Sequence, residues 1–303
     1  MFGVAETNVD WWLLGEQDRL YMRTKEWWET CHLNFTHNRV SPPLDKCQWG
    51  GSALFSLNQV AHRVVDKGWD PTNMGRWCWT KFRGRNNHCL RIFSAYCPNP
   101  PSRPGSVAAL QRTVMLARQN FRDPRMAFIQ DLDKEVSEVI KIGELVIIML
   151  DGNSDMQNSP LATMLSNLKF REVILYRHGR GVSTFRRNNS ATPIDGIWAS
   201  AGISVIKGGY LDYDKVVPGA DHKCLWIDIS FQQAFGHNMP AINRPQTCRL
   251  HCKDPRIVTN YHRTYNHLAE NSNLLSKVND LMMKATYPLQ RHLQQEYERL
   301  DQT

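Results

Sequence analysis

The most apolar stretch of the chain is a run of six residues, Leu145–Leu150. It is short and rich in β-branched side chains, which predicts a strand buried on both faces. Shorter apolar runs bounded by Gly, Pro, Asn or Asp predict further strands, and Asn86-Asn87 between two of them predicts a hairpin turn. These runs are Phe2–Ala5, Cys31–Phe35, Ser52–Leu57, Trp77–Phe82, His88–Tyr96, Val173–Tyr176, Ser183–Arg187, Ile194–Ala199 and Cys224–Ile229.

Helical spacing of apolar residues alternates with these runs. It predicts helices over Asp10–Trp28, Ser106–Ile142 with an interruption near Pro124, and Leu161–Leu168. Hairpins mixed with helices favour a two-sheet α/β or α+β sandwich over a doubly wound parallel sheet. After Ser230 a loop rich in Pro, Asn and Gln leads to a helical pattern over 254–285. We therefore expect one domain over residues 1–236 and a loop and helical extension over 237–303.

Composition narrows the class of protein. With 42% hydrophobic and 22% charged residues, the chain matches an ordinary globular protein, and no apolar run approaches the length of a membrane span. A net charge of +8 indicates a polyanionic partner, although a plain basic surface is an equal alternative. The start lacks a signal-peptide pattern, so we expect an intracellular protein with reduced cysteines. Cys248, His251 and Cys252 do not match a closed four-ligand zinc site.

Polar residues that suit phosphodiester hydrolysis follow or precede several predicted strands. That reaction needs a metal to neutralise phosphate charge, a base for water and donors for developing charge. Carboxylate and amide oxygens at strand ends, which converge at one edge of a sheet sandwich, suit Mg²⁺ or Mn²⁺. The candidates are Glu6, then Tyr96 and Asn99, then Asp151 and Asn153, then Asp195, then Asp221 and His222.

Each of these candidates has an ordinary structural interpretation when it is taken alone. An Asp-x-Asn sequence after a strand is usually a turn, and an Asp-His pair is usually part of a solvated loop. Asp195 is different because it lies within an apolar strand, where an unpaired carboxylate costs roughly 3 kcal/mol or more. We therefore expect a partner for Asp195, and histidine is the natural one.

The ordered set of motifs resembles the endonuclease/exonuclease/phosphatase (DNase I-like) superfamily, which includes the apurinic-type endonucleases. The resemblance extends from Phe2 to Ser230 and keeps the family order. It implies an α/β (α+β) fold, a four-layer α/β/β/α sandwich of two mixed β-sheets followed by a helical C-terminal extension. The stretch Arg249–Tyr261 resembles the region after the endonuclease domain in non-LTR retrotransposon reverse transcriptases. That second resemblance implies a nuclear protein acting on DNA.

The resemblance also implies a role for each motif residue. Glu6 and Asp221 would bind Mg²⁺ or Mn²⁺, and Asp151 would orient or deprotonate the attacking water. Asp195 would hold His222, which would stabilise charge on the phosphorane-like transition state. The catalytic set implied is Tyr96, Asp151, Asn153, Asp195 and His222, and the substrate-binding set is Asn99, Arg186 and Arg187.

The sequence departs from the family pattern in a few places. Members carry one more strand before the glutamate strand, with an asparagine that helps to order the metal site. The sequence begins after that point, which implies N-terminal truncation. Gly196 replaces a bulkier residue, and Cys97 is atypical in the tyrosine motif.

Three hypotheses for function remain open. The leading one is endonucleolytic cleavage of DNA with Mg²⁺. A phosphatase or phospholipase of the same superfamily, acting on inositol phosphates or sphingomyelin, would use the same metal machinery. The third is a catalytically inactive retrotransposon remnant. Basic loops at Lys81–Arg85 and Arg177–Arg180 favour a polymeric phosphate backbone, unless they are ordinary solvated turns.

Overall fold

A computed structural model describes most of the chain and divides it into two compact units, Met1–Pro240 and Ala241–Thr303. The described residues are 1–11, 13–39, 48–86, 88–100, 105–179, 182–186, 192–216, 219–236 and 255–285. Within them, every helix is too short or too polar to span a membrane.

The first unit combines strands with α-helices. The strands described are β1 (Phe2–Ala5), β2 (Cys31–Thr36), β3 (Ser52–Leu57), β4 (Val64–Trp69), β5 (Trp77–Arg83), β6 (Cys89–Tyr96), β7 (Leu145–Asp151), β8 (Arg171–Glu172), β9 (Asp195–Ala199), β10 (Val205–Leu211) and β11 (Cys224–Ile229). The helices described there are α1 (Leu20–Trp27), α2 (Val107–Ala117), α3 (Pro124–Lys141), α4 (Pro160–Asn167), α5 (Val173–His178) and α6 (Phe231–Phe235).

A six-stranded mixed sheet forms the centre of this unit, in the order β4-β5-β6-β7-β9-β8. Strands β6 and β7 are parallel, and β7 and β9 are antiparallel. The carboxyl ends of β6 and β7 therefore lie at the same edge of the sheet as the first residue of β9. This edge is where the sequence predicted that the polar motif residues converge.

Two smaller antiparallel sheets accompany the mixed sheet. One has the order β1-β3-β2, and the other is the hairpin β10-β11. The prediction of two mixed sheets is thus right for the six-stranded sheet only. Strands β5 and β6 form the predicted hairpin, with Asn86 at a positive φ of 53°, which asparagine tolerates in turns. Asn87 lies outside the described residues.

Side chains of β7 alternate between two hydrophobic cores. Val146, Ile148 and Leu150 belong to the core beneath α3 and α4, and Ile147 belongs to the core on the opposite face. A strand with apolar partners on both faces carries a continuous apolar sequence because neither face meets water. The prediction from Leu145–Leu150 is confirmed.

The helix-side core depends on α3, which begins where the sequence predicts a break. The Asp123 carboxylate caps the helix by accepting the N–H groups of Arg125 and Met126, and Pro124 occupies the first helical position. Residues three or four apart then face the sheet. These buried side chains are Phe128, Leu132, Val136 and Val139.

The three-stranded sheet packs against the other face of the mixed sheet. The Ser94 hydroxyl donates to the Val4 carbonyl at 3.2 Å, and a Cβ on Gly3 would lie 2.8 Å from the end of Met149 and 2.9 Å from the Ser94 hydroxyl, so the sheets approach closely at position 3. On its outer face, Leu20 of α1 packs against Leu33 and its neighbours. The layers are, in order, the helices α3 and α4, the mixed sheet, the smaller sheets and α1. This is the predicted four-layer sandwich.

Several local predictions are wrong. Val173–Tyr176 is the helix α5 and not a strand, because Glu172 caps the helix by accepting the Leu175 N–H. The helix predicted over Asp10–Trp28 begins only at Leu20. In place of a strand over Ser183–Arg187, an isolated β-bridge joins Phe185 to His222. Strands β4 and β10 were not predicted.

The second unit contains two described helices, α7 (Pro255–Asn271) and α8 (Leu274–Ala285). The helical pattern predicted over 254–285 is confirmed, with a break between them. Asn273, between the two helices, adopts the left-handed region with φ of 52°. The predicted end at Pro288 lies outside the described residues, as does the cluster of Cys248, His251 and Cys252.

Candidate active site

Three neighbouring strands of the mixed sheet bring predicted site residues side by side. Tyr96, the last residue of β6, is in register with Asp151, the last residue of β7. Asp151 is also in register with Asp195, the first residue of β9. Residues directly opposite on adjacent strands have their Cβ atoms about 4.5–5.5 Å apart. The sheet itself therefore sets the spacing of these three side chains.

Asp195 has the histidine partner that its position requires. Both of its carboxylate oxygens contact Nδ1 of His222, at 2.9 and 3.1 Å. The side chain of Asp195 is 12% exposed and that of His222 is 28% exposed. The ring of Phe185 packs against the imidazole, with 4.9 Å between centroids. Because Nδ1 is held by the carboxylate, Nε2 is the nitrogen that can meet a substrate.

The surroundings of His222 favour its charged form. Burial alone would lower the pKa of His222. The hydrogen bond and the negative charge of Asp195 outweigh burial and raise that pKa to about 9. The charges of Asp151 and Asp221 act in the same direction. His222 is therefore an imidazolium near neutral pH.

Asp151 is a buried carboxylate beside another carboxylate. Asp151 is 8% exposed. Burial and the nearby charge of Asp195 raise its pKa well above the usual range, and only the cation at His222 and the Asn153 N–H oppose them. One oxygen or nitrogen from each of Asp151, Asp195 and His222 lies within 4.8 Å of the other two. This concentration of negative charge and hard oxygen donors fits a divalent cation.

Tyr96 and Asp195 flank Asp151 on its two neighbouring strands, and Glu6 is hydrogen-bonded to Tyr96. The Tyr96 side chain is almost fully buried, and burial, the charge of Glu6 and a hydrogen bond to Glu6 raise the pKa of its hydroxyl well above the usual range. Glu6 also raises the pKa of Asp151 through its charge. The three-stranded sheet, in which β1 precedes Glu6, therefore brings a third carboxylate close to Asp151 and Asp195 at the edge of the mixed sheet.

The loop that carries Glu6 is fixed by hydrogen bonds to a glycine pair. The N–H groups of Thr7 and Asn8 donate to the carbonyls of Gly51 and Gly50, at 3.3 and 2.8 Å. The Asn8 side chain accepts the Gly50 N–H at 2.8 Å. A Cβ on Gly51 would lie 2.5 Å from the Thr7 hydroxyl, so this close approach requires glycine.

The remaining predicted residues have mixed surroundings. The Asn153 amide donates to the Cys97 carbonyl at 2.8 Å, and Asn99 is exposed just beyond this loop. Asp221 is partly exposed and acts on His222 through its charge. Arg186 is exposed and forms an ion pair with Asp214, whereas Arg187 lies outside the described residues.

Three supporting residues were not found from the sequence. The buried Thr184 hydroxyl accepts the N–H groups of Ile194 and Asp195, at 3.0 and 3.1 Å, and so fixes the start of β9. Arg125 donates to the carbonyls of Pro98 and Asn153, at 2.6 and 3.2 Å, and joins two site loops. The Glu172 carboxylate accepts the Ile197 N–H at 2.9 Å. No sequence pattern marks these long-range contacts.

The unusual Gly196 is explained by close packing. A Cβ at this position would lie 3.1 Å from the Met156 sulfur, 3.2 Å from Trp198 Nε1 and 3.3 Å from Cγ of Glu172. These contacts are tighter than most Cβ contacts, so a side chain at this position would require its neighbours to shift by a few tenths of an ångström. Met156, Trp198 and Glu172 thus occupy the space around Gly196, next to Asp195.

Comparisons with known proteins give structural matches only. No protein-family model matches the sequence, and no curated protein matches it. A 3′ phosphatase from Neisseria, NExo, solved with a product DNA hairpin, is 14% identical with a TM-score of 0.52, covering 76% of this chain and 88% of its own. The human Nocturnin catalytic domain with a bound sulfate anion is 14% identical with a TM-score of 0.50, covering 75% and 81%.

A further match is the 3′-5′ exonuclease NExo from Neisseria meningitidis, at 13% identity and a TM-score of 0.51. It covers 76% of this chain and 88% of its own. Identities this low establish the fold and not the activity. The chain therefore has the α/β sandwich fold of DNase I-like proteins, with its buried carboxylates and histidine grouped at one edge of the mixed sheet.

Proposed function

We propose that the chain hydrolyses phosphodiesters with the help of Mg²⁺ or Mn²⁺, and that its substrate is DNA, cleaved endonucleolytically. The observation that carries the proposal is the cluster of Asp151, Asp195 and His222, with ligand atoms within 4.8 Å of one another. Burial of two adjacent carboxylates is costly unless a cation or a proton offsets their charge. A site with this arrangement suits an anionic substrate that arrives with a metal ion.

The metal would be held by Asp151 of this cluster together with carboxylates beside it. Asp195 engages His222, so Glu6 and Asp151 are the carboxylates best placed to bind the ion, with Asp221 nearby. Oxygen donors of this kind suit Mg²⁺ and Mn²⁺. When bound, the ion would neutralise phosphate charge and lower the cost of forming hydroxide from water.

The protein groups would act on both sides of the phosphate. Asp195 fixes the imidazole of His222, whose Nε2–H donates to a phosphate oxygen as negative charge develops there. Asp151 accepts a hydrogen bond from the attacking water and orients it. Tyr96 is restrained by Glu6 next to the scissile phosphate, and Asn153 helps to shape the loop that receives it.

DNA as the substrate has separate support. The chain has a formal charge of +8, which favours a polymeric phosphate backbone. The resemblance of Arg249–Tyr261 to retrotransposon reverse transcriptases supports a mobile-element origin and nuclear action on DNA. Only residues from Pro255 onward in that stretch are described.

Incubation with supercoiled plasmid and Mg²⁺ tests the proposal. We expect nicking by the wild-type protein and a loss of roughly 10²-fold or more in rate for Asp151→Ala and His222→Ala. Asp66→Ala and His62→Ala are matched controls, because both residues are exposed in or beside β4, at the far edge of the mixed sheet. Equal nicking by all four variants would refute the site. Hydrolysis of a soluble phosphate ester without nicking would identify a phosphatase or phospholipase instead, and no turnover by a folded protein would identify an inactive remnant.

A further inference from the structure

A cationic surface adjoins His222 and takes no part in the cluster described above. The segment 183–186 is joined to 221–223 by backbone hydrogen bonds. The Arg186 N–H donates to the Asp221 carbonyl at 2.7 Å, and the Lys223 N–H donates to the Thr184 carbonyl at 2.8 Å. Two basic residues therefore lie next to His222. Lys223 follows it in the chain, and Arg186 follows Phe185, which pairs with His222 across the β-bridge.

Tyr213 restrains both basic side chains. The guanidinium carbon of Arg186 lies 4.9 Å from the centroid of the Tyr213 ring, and the Lys223 ammonium lies 5.1 Å from it. Both distances are within the range of cation–π attraction. The ring is itself fixed, because its hydroxyl donates to the Ser183 carbonyl at 3.2 Å. We call Tyr213, Arg186 and Lys223 together the Tyr213 platform.

One carboxylate competes for this surface. Asp214 forms an ion pair with Arg186 and accepts the Gly219 N–H at 2.8 Å. The side chains of the pair are 45% and 48% exposed, and exposed pairs contribute little free energy. A guanidinium has several N–H donors, so one carboxylate does not satisfy it. Asp221, one position before His222, is a second carboxylate near this surface, so phosphate binding would depend on the N–H donors of Arg186 and Lys223 and not on a net positive charge.

We propose that the Tyr213 platform binds the phosphate backbone of a nucleic-acid strand next to the catalytic cluster, so that the site prefers polynucleotides over small phosphate esters. The inference rests on the proposed function and specifies its substrate class. A polynucleotide presents further phosphates on either side of the scissile one, whereas a small ester presents none. Only the polymer can use cations placed beside the histidine. Tyr213 holds these cations in position before binding, which reduces the entropy lost when they meet phosphate.

Binding of a fluorescent oligonucleotide in EDTA, titrated with KCl, measures this contact without cleavage. Each phosphate contact that is lost lowers the steepness of log affinity against log salt by about 1. We therefore expect Arg186→Gln and Lys223→Met each to weaken binding and to flatten the salt dependence by that amount. In Mg²⁺ both variants should raise KM for the oligonucleotide by a larger factor than they raise KM for bis(p-nitrophenyl) phosphate.

The chain offers a matched control. Arg171 lies over the ring of Tyr176 at 4.3 Å, which reproduces the chemistry of the platform. Arg171 is in register with Ala199, at the opposite end of β9 from Asp195. Arg171→Gln should therefore leave both oligonucleotide affinity and its salt dependence unchanged.

A variant with the opposite sign excludes a general loss of folding. Asp214→Asn retains an oxygen that can accept the Gly219 N–H but removes the charge that competes for Arg186. We expect it to bind the oligonucleotide more tightly than the wild-type protein. Unchanged or weaker binding by Asp214→Asn would count against the platform.

The outcomes separate this inference from the proposed function. If the control Arg171→Gln weakened oligonucleotide binding as much as Arg186→Gln and Lys223→Met do, the platform proposal would be overturned. That would hold even if the wild-type protein nicks the plasmid. Hydrolysis of bis(p-nitrophenyl) phosphate by a wild-type protein that binds no oligonucleotide would overturn it while leaving phosphodiester hydrolysis intact. Loss of hydrolysis with the platform-dependent binding retained would instead refute the proposed catalytic function.

Discussion

Glu172 is a buried carboxyl group that should make the stability of this protein depend on pH. It is 7% exposed, and burial raises its pKa to about 7, although backbone N–H groups, including those of Leu175 and Ile197, oppose this rise. Ile197 follows Asp195 by two residues on β9, so Glu172 stabilises the strand on which Asp195 lies. The perturbation we consider is Glu172→Gln, which removes the titration.

The sign and the size of the effect follow from the two pKa values. The folded pKa of about 7 lies above the usual value of 4.5, so the folded state binds the proton more tightly than the unfolded state does. The resulting stability is fully present below pH 4.5 and is lost as the pH rises through 7. Between pH 5 and pH 8 the loss amounts to about 2.5 kcal/mol.

Urea unfolding of the wild-type protein and Glu172→Gln at pH 5, 6, 7 and 8 measures this loss. The variant should be less stable overall, because its amide group opposes a backbone N–H. The difference in free energy of unfolding between the wild-type protein and Glu172→Gln should shrink by about 2.5 kcal/mol between pH 5 and pH 8. Glu138→Gln, at an exposed position on α3, is the matched control. A stability difference between the wild-type protein and Glu172→Gln that stays constant with pH would refute the reasoning.

Other predictions concern the core, β9 and the metal. Phe128→Ala should lower the free energy of unfolding by about 3–5 kcal/mol in urea, because the ring is fully buried. Thr184→Val should cost about 1–3 kcal/mol, since it leaves two N–H groups at the start of β9 without their acceptor. Gly196→Val should lower Tm by crowding Met156, and Gly196→Ala should lower it less. Mg²⁺ should raise Tm of the wild-type protein in calorimetry. Asp151→Asn should abolish that rise, and its persistence would exclude Asp151 as a ligand.

The polar site residues were accessible from the sequence because they follow apolar runs. The run Leu145–Leu150 fixes where β7 ends, and hence where Asp151 lies. Parallel pairing with β6 then brings Tyr96 to the same edge. The partner of Asp195 could also be anticipated, since a carboxylate in an apolar strand needs one. These inferences need only strand boundaries and the cost of burying charge.

Elements whose conformation depends on distant contacts were not accessible. The run Val173–Tyr176 has the composition of a strand, but Glu172 caps it as a helix, and Val173 and Ile174 pack into the core between the sheets. A short apolar run cannot be assigned to helix or strand by periodicity alone. Arg125 likewise contacts loops about 27 residues away in both directions, and no local pattern predicts such a contact.

The register between β7 and β9 links the stability of the sheet to the geometry of the site. A slip of one residue would place Gly196 opposite Asp151 and would exchange the faces of Ile197 and Trp198. Those two side chains lie in different hydrophobic cores, so the slip would disrupt both. The β7–β9 register, which sets the distance between Asp151 and Asp195, is thus maintained by the buried side chains of Ile197 and Trp198. A substitution at Ile197 or Trp198 would then disturb packing, so the requirements of folding alone maintain the spacing of the two carboxylates.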